Sequence, residues 1–242
     1  MPDQQDSLYE HLHPLTTVMK QHFVSNFSRG SLDTKRWNRA TYDATKSGTV
    51  EMVDEVNGGI KLLTLDENYG QVWYAFQTEQ LNGLESTLSP QCFSPTGSVF
   101  IDVFKHVLVS GVSQSVLSSG GAGLVGGGSS AGRGDQGSAA GSSGFSHYAR
   151  GNYTYLSAKT TNAGLDSGNI NSGVAYDNDW HCNKLELKSS SAEWTLDGVL
   201  VTTTAITTTL PDDDLAPVIG VSRYTAAGVV GVQCNYCEAY NT

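Results

Sequence analysis

The chain has 242 residues, 38% of them apolar and only 16% charged, with a formal net charge of -10. That balance excludes a disordered chain, which combines few apolar residues with high net charge. The acidic surplus and the lack of any basic stripe exclude a nucleic-acid or anionic-membrane partner, and the strand-and-turn composition suits one all-β domain.

The first residues, Met1-Pro-Asp-Gln-Gln-Asp6, carry neither the basic nor the apolar stretch of a secretory signal. Synthesis in a host cytoplasm is the expectation. No apolar run approaches the ~20 residues of a membrane span. Over residues 7–23 the apolar residues Leu8, Leu12, Leu15, Met19 and Phe23 recur at spacings of four and three. This predicts a short amphipathic helix, broken at Pro14. Two readings stand for this arm of residues 1–23: packing on its own domain, or docking on a neighbouring subunit through those five side chains.

From Phe27 onward the pattern is β. Thr49–Val53, Gly59–Leu65, Gln71–Phe76 and Ser98–Phe104 read as strands, with Asn57-Gly58 as a turn. Residues 118–146 form a Gly/Ser/Ala tract containing Arg133-Gly-Asp135, and read as an inserted flexible loop. In Trp180–Lys188, Lys184, Glu186 and Lys188 alternate with Leu185 and Leu187, giving one wet face and one dry face. Trp194–Val201 reads as a hairpin turning at Asp197-Gly198.

The 4 cysteines do not form a disulfide framework. Cys234 and Cys237 sit in a β-patterned run, where an offset of three predicts opposite faces. Buried thiols are expected there rather than a redox or metal pair. Asp177, Asp179 and the Asp212–Asp214 run are the hard-oxygen candidates for a structural calcium, without EF-hand spacing. Solvated loop charge is the competing reading, and no other cofactor is expected. His11, His13 and His22 fall in or beside the arm, and His181 is expected to be a hydrogen-bonded structural histidine. There is no G-x-S-x-G elbow. The sequons at Asn26 and Asn152 and the Arg133-Gly-Asp135 triplet read as chance matches. Trp73, Tyr74, Tyr153 and Tyr155 are candidates for a carbohydrate-stacking platform, although one of each pair should face the core.

Phe27-Ser-Arg-Gly-Ser-Leu-Asp-Thr-Lys-Arg-Trp37 and Asn57-Gly-Gly-Ile-Lys-Leu-Leu63 stand near the start. Near the end stand Trp180-His181, Trp194-Thr-Leu-Asp-Gly198, Pro217-Val-Ile-Gly-Val221 and the closing Glu238-Ala-Tyr-Asn-Thr242. Together they resemble the concanavalin A-like lectin/glucanase superfamily, in the LamG-like form found in phage virion proteins. The resemblance implies an antiparallel β-sandwich, or jelly roll, over residues 24–242. It also implies that a hydrolase of the laminarinase type would carry E-x-D-x-x-E on one strand. Glu51-Met-Val-Asp-Glu55 and Asp54-Glu-Val-Asn57 do not supply that spacing. A retaining pair needs its carboxylates about 5–5.5 Å apart. The expectation is therefore not an enzyme. It is a non-catalytic virion structural protein, of capsid-decoration or fibre-attachment type. Such a protein would assemble with itself, for example as a trimer, and with other virion proteins. A carbohydrate-binding module is the alternative, and a polysaccharide hydrolase or lyase with an atypical site is the weaker one.

Overall fold

The computed structural model describes residues 22–27, 37–40, 48–53, 59–66, 71–76, 93–108, 112–113, 117–126, 143–151, 154–162, 165–201, 206–212, 215–223 and 228–242. These residues form strands and their connections, with no α-helix among them. The strands are β1 (His22–Asn26), β2 (Trp37–Ala40), β3 (Thr49–Met52), β4 (Ile60–Leu63), β5 (Gln71–Phe76), β6 (Ser98–Leu108), β7 (Leu117–Gly126) and β8 (Ser143–Ala149). They continue with β9 (Tyr155–Asn162), β10 (Leu165–Asp166), β11 (Ile170–Ala175), β12 (His181–Leu187), β13 (Ala192–Leu196), β14 (Val199–Leu200), β15 (Ala216–Arg223) and β16 (Val230–Asn241).

Two antiparallel sheets result. Sheet A runs β14-β13-β12-β6-β16-β4-β3, with β1 also paired to β16; sheet B runs β10-β9-β8-β7-β15-β5-β2, with β11 also paired to β9. Alternation drives one apolar row of each strand inward. Phe100 and Phe104 of β6, Leu185 and Leu187 of β12, Trp194 of β13 and Val232 of β16 meet Phe145 and Ala149 of β8, Ala158 of β9, and Ile219 and Val221 of β15 in one core.

The helical arm is corrected at its end. His22 and Phe23 lie in β1, with Phe23 opposite Ala239 of β16. The reason is an open edge: β4 pairs only Gly231–Cys234 of β16, leaving Tyr236–Tyr240 for β1. Leu8, Leu12, Leu15 and Met19 lie outside the described residues. The Gly/Ser tract is likewise not a loop at its two ends, which form β7 and β8 in the interior of sheet B. Residues 127–142 lie outside the described set.

A further correction concerns the thiols. The register of β16 against β6 slips between Cys234, opposite Phe104, and Tyr236, opposite Val103. This bulge at Asn235 inserts one residue, so Cys234 and Cys237 face the same way and both are buried in the core. The expected hairpin at Asp197-Gly198 is present. Both residues have positive φ, 50° and 80°, as a two-residue primed turn requires.

Candidate functional site

The outer face of sheet B follows from its inner face. Phe145 and Ala149 are in the core, so Ser146 and Tyr148 of β8 point outward. By the same alternation Gly121 and Gly123 of β7, Tyr155, Ser157 and Lys159 of β9, and Gly220 and Ser222 of β15 belong to the outer face. Pairing aligns them in rows. One row runs Ala40, Trp73, Gly220, Gly121, Tyr148, Ser157, Asn171 across seven strands. The next runs Asn38, Ala75, Val218, Gly123, Ser146, Lys159.

These rows gather polar groups that the sequence reading did not single out. The Tyr148 hydroxyl donates to Asn169 Oδ1, and Ser157 Oγ donates to Asn171 Oδ1 at 3.0 Å. Lys159 Nζ lies 5.5 Å from the centroid of the Tyr148 ring. Tyr148 is 1% exposed and Lys159 3%, so the pair is shielded from water. Of the strands of sheet B, only β10 carries a carboxylate, Asp166. Two carboxylates facing each other on these strands are therefore absent. The sequence signal was the alternation in Ser143-Gly-Phe-Ser-His-Tyr-Ala149, hidden inside a tract that composition marks as loop.

Of the expected carbohydrate platform, Tyr155 is 38% exposed on this same outer face, opposite Ala175. Trp73 and Tyr74 lie on β5, in register with Gly220 and Ile219. Tyr153 lies outside the described residues.

Two other polar clusters serve the frame. Between the sheets, Asp102 of β6 accepts from His147 Nε2 at 2.5 Å and from Asn183 Nδ2 at 2.9 Å, and Asn183 Oδ1 accepts from Trp194 Nε1 at 3.1 Å. Asp102 is fully buried, so these bonds offset the cost of removing its charge from water. His147 sits between Ser146 and Tyr148, and its bond to Asp102 ties the centre of sheet B to sheet A. His106 Nε2 lies 2.8 Å from the Gly120 carbonyl oxygen, to which it donates. Burial pushes its pKa down to about 3, so it is neutral.

At the rim, His181 bridges Asp197 Oδ2 at 2.7 Å through Nδ1 and Asp177 Oδ1 at 3.0 Å through Nε2. Burial alone would lower its pKa, but the hydrogen bonds and charges of Asp197 and Asp177 outweigh it and hold the pKa above 6.5. His181 is thus the structural histidine that the sequence predicts. It also occupies Asp177, one of the calcium candidates, whose Oδ1 accepts in addition from the Asp179 amide at 2.8 Å. Among the described residues no group of three or more His, Cys, Asp or Glu side chains is placed to hold a metal ion.

No protein-family model and no curated protein matches the chain. Solved structures do. A Bacillus licheniformis β-glucanase superposes with a TM-score of 0.58 at 14% identity, covering 91% of this chain and 98% of its own. The Crh5 transglycosylase gives 0.56 at 9% identity, covering 91% and 84%. An endo-β-1,4-glucuronan lyase from Trichoderma reesei gives 0.53 at 14% identity, covering 91% and 95%. The fold is the concanavalin A-like jelly roll. Identities this low establish the fold alone.

The expectation of a non-catalytic virion structural protein is corrected by these matches. Solved structures that share the fold over nine-tenths of this chain include a glucanase, a transglycosylase and a lyase. A missing E-x-D-x-x-E removes one catalytic apparatus and does not by itself remove catalysis.

Proposed function

We propose that the protein is a polysaccharide-active enzyme that works on the outer face of sheet B by proton transfer, without a carboxylate pair on its strands. The observation that carries this reading is the water-shielded placement of Lys159 Nζ over the ring of Tyr148, whose hydroxyl is held by Asn169, on a face whose central strands bear no Asp or Glu. Glycoside hydrolysis of the usual kind needs two carboxyl groups flanking the bond. Abstraction of a proton next to a carboxylate needs a base and a cation instead.

The reaction class that fits is β-elimination in a uronate-containing polymer. A base removes the ring proton α to the carboxylate. The electron pair forms the ring double bond, the bond to the glycosidic oxygen breaks, and that oxygen takes a proton. Tyr148 is the base: as the phenolate it takes the α proton and then returns that proton to the glycosidic oxygen as its bond breaks, while Lys159 holds the carboxylate and Asn169 orients the Tyr148 hydroxyl. Tyr155, exposed on the same face, is placed to stack on a neighbouring sugar.

The test is incubation with glucuronan, polygalacturonate, alginate and mixed-linkage β-glucan, following both the ultraviolet absorbance of unsaturated ends and new reducing ends. Absorbance rising on a uronate polymer, and lost in Tyr148→Phe, is the expected result. Reducing ends without absorbance would sink elimination in favour of hydrolysis. No cleavage of any polymer would sink the enzyme reading.

A further inference from the structure

We infer that the paired glycines Gly220 and Gly121, together with the Ser222 hydroxyl, form a subsite that seats one sugar ring on the backbone of sheet B. The inference rests on the polysaccharide reading and adds to it a residue with a defined role. Gly220 and Gly121 are paired neighbours, and Gly123 is the next outer position along β7. A Cβ on Gly121 would fall well inside contact distance of the His147 carbonyl oxygen, and 2.8 Å from Tyr148 Cβ. A Cβ on Gly123 would similarly crowd Phe145 O and lie 2.8 Å from Ser146 Cβ. No side chain can rise from these two β7 positions, and Tyr148 and Ser146 stand beside them on β8.

The close approach of β8 accounts for two of the glycines, and a run of small residues would not by itself mark a site. Ser222 is the independent observation. It lies two residues beyond Gly220 on the same face, is 7% exposed, and its Oγ has no hydrogen-bond partner among the described residues. A buried hydroxyl without a partner weakens the folded state unless a ligand completes it. A ring hydroxyl brought to Ser222 would do so, and Gly220 and Gly121 put no side chain in its way. The ligand class is a hydroxylated sugar ring of a linear polymer. Ser222 is a positioning residue and takes no part in bond breaking.

The experiment is native gel electrophoresis through gels containing glucuronan or mixed-linkage β-glucan, with melting temperatures measured alongside. In a gel that retards the wild-type chain, Ser222→Ala should bind about five- to tenfold more weakly, the loss of one neutral hydrogen bond. Its melting temperature should be equal or higher. Ser222→Val, which adds a methyl group to the subsite, should bind more weakly still. Unchanged retardation of both variants would overturn the subsite and leave the enzyme reading standing. A lowered melting temperature in Ser222→Ala would also overturn it, by revealing an intramolecular partner. A wild-type chain retarded by neither polymer would overturn the subsite through its ligand, and the cleavage assay would then judge the enzyme reading separately.

Discussion

Two histidines, His106 and His181, respond to pH with opposite signs. His106 is fully buried and neutral, with a pKa near 3 against an ordinary 6.5. A histidine whose folded pKa is depressed makes the unfolded state the better proton acceptor below 6.5, so stability falls as pH falls through that range. One proton costs about 1.36 kcal/mol per pH unit, or about 2 kcal/mol between pH 6.5 and 5. His106→Gln keeps a donor for the Gly120 carbonyl and cannot ionise. It should flatten the acid side of a plot of unfolding free energy against pH, and a variant curve parallel to the wild type would refute the assignment. His181 works the other way. Its folded pKa is raised, so its contribution is complete below 6.5 and disappears as pH rises through the folded value. Asp177 and Asp197 are substantially exposed, with side chains at 38% and 46%, so solvent screening holds the effect below about 1 kcal/mol. His181→Gln should therefore lose a little stability at pH 6 and none at pH 9, which thermal melts at the two pH values would show.

Among the elements, β7 and β8 explain what the sequence could and could not disclose. Leu117-Ser-Ser-Gly-Gly-Ala-Gly-Leu-Val-Gly126 looks like a linker because three of its residues between 120 and 123 are small enough to suit any conformation. It is a strand because Ala122 and Leu124 reach the core while Gly121 and Gly123 make room for the backbone of β8. Gly123→Val keeps the strand propensity, indeed raises it, yet places a branched side chain against Phe145 O and Ser146. Denaturant unfolding should show a loss of about 3 kcal/mol or more, as overpacking a close backbone approach does. A neutral or stabilising result would mean that β8 is not held that close. The strands with regular alternation were legible: β12, β13 and the Asp197-Gly198 turn follow from their pattern alone. The β16 bulge was not, because one inserted residue at Asn235 reverses every face assignment after it, Cys237 included. The site shared that fate. Tyr155 was visible as an aromatic, whereas Tyr148 and Lys159 meet only through the pairing of β8 with β9, which no local pattern encodes.

For the whole molecule, the fold could be read from the terminal motifs, but the chemistry could not, since one jelly roll accommodates several kinds of site. Net charge then separates the substrate classes. A chain carrying -10 repels a polyanion at long range, while Lys159 attracts one carboxylate at contact in a shielded position. Salt screens the first effect strongly, because the Debye length shrinks to about 8 Å near 0.15 M, and the second weakly, because the pair is buried. If the substrate is a uronate polymer, raising ionic strength from roughly 0.01 M to 0.15 M should lower KM by about two- to fivefold and leave kcat nearly unchanged. A neutral glucan feels neither force, so its KM should not move. Steady-state kinetics across that range decide the matter. A KM that rises with salt would mean that attraction by exposed cations governs binding, and would overturn the assignment of the shielded Lys159 as the group that holds the substrate's charge.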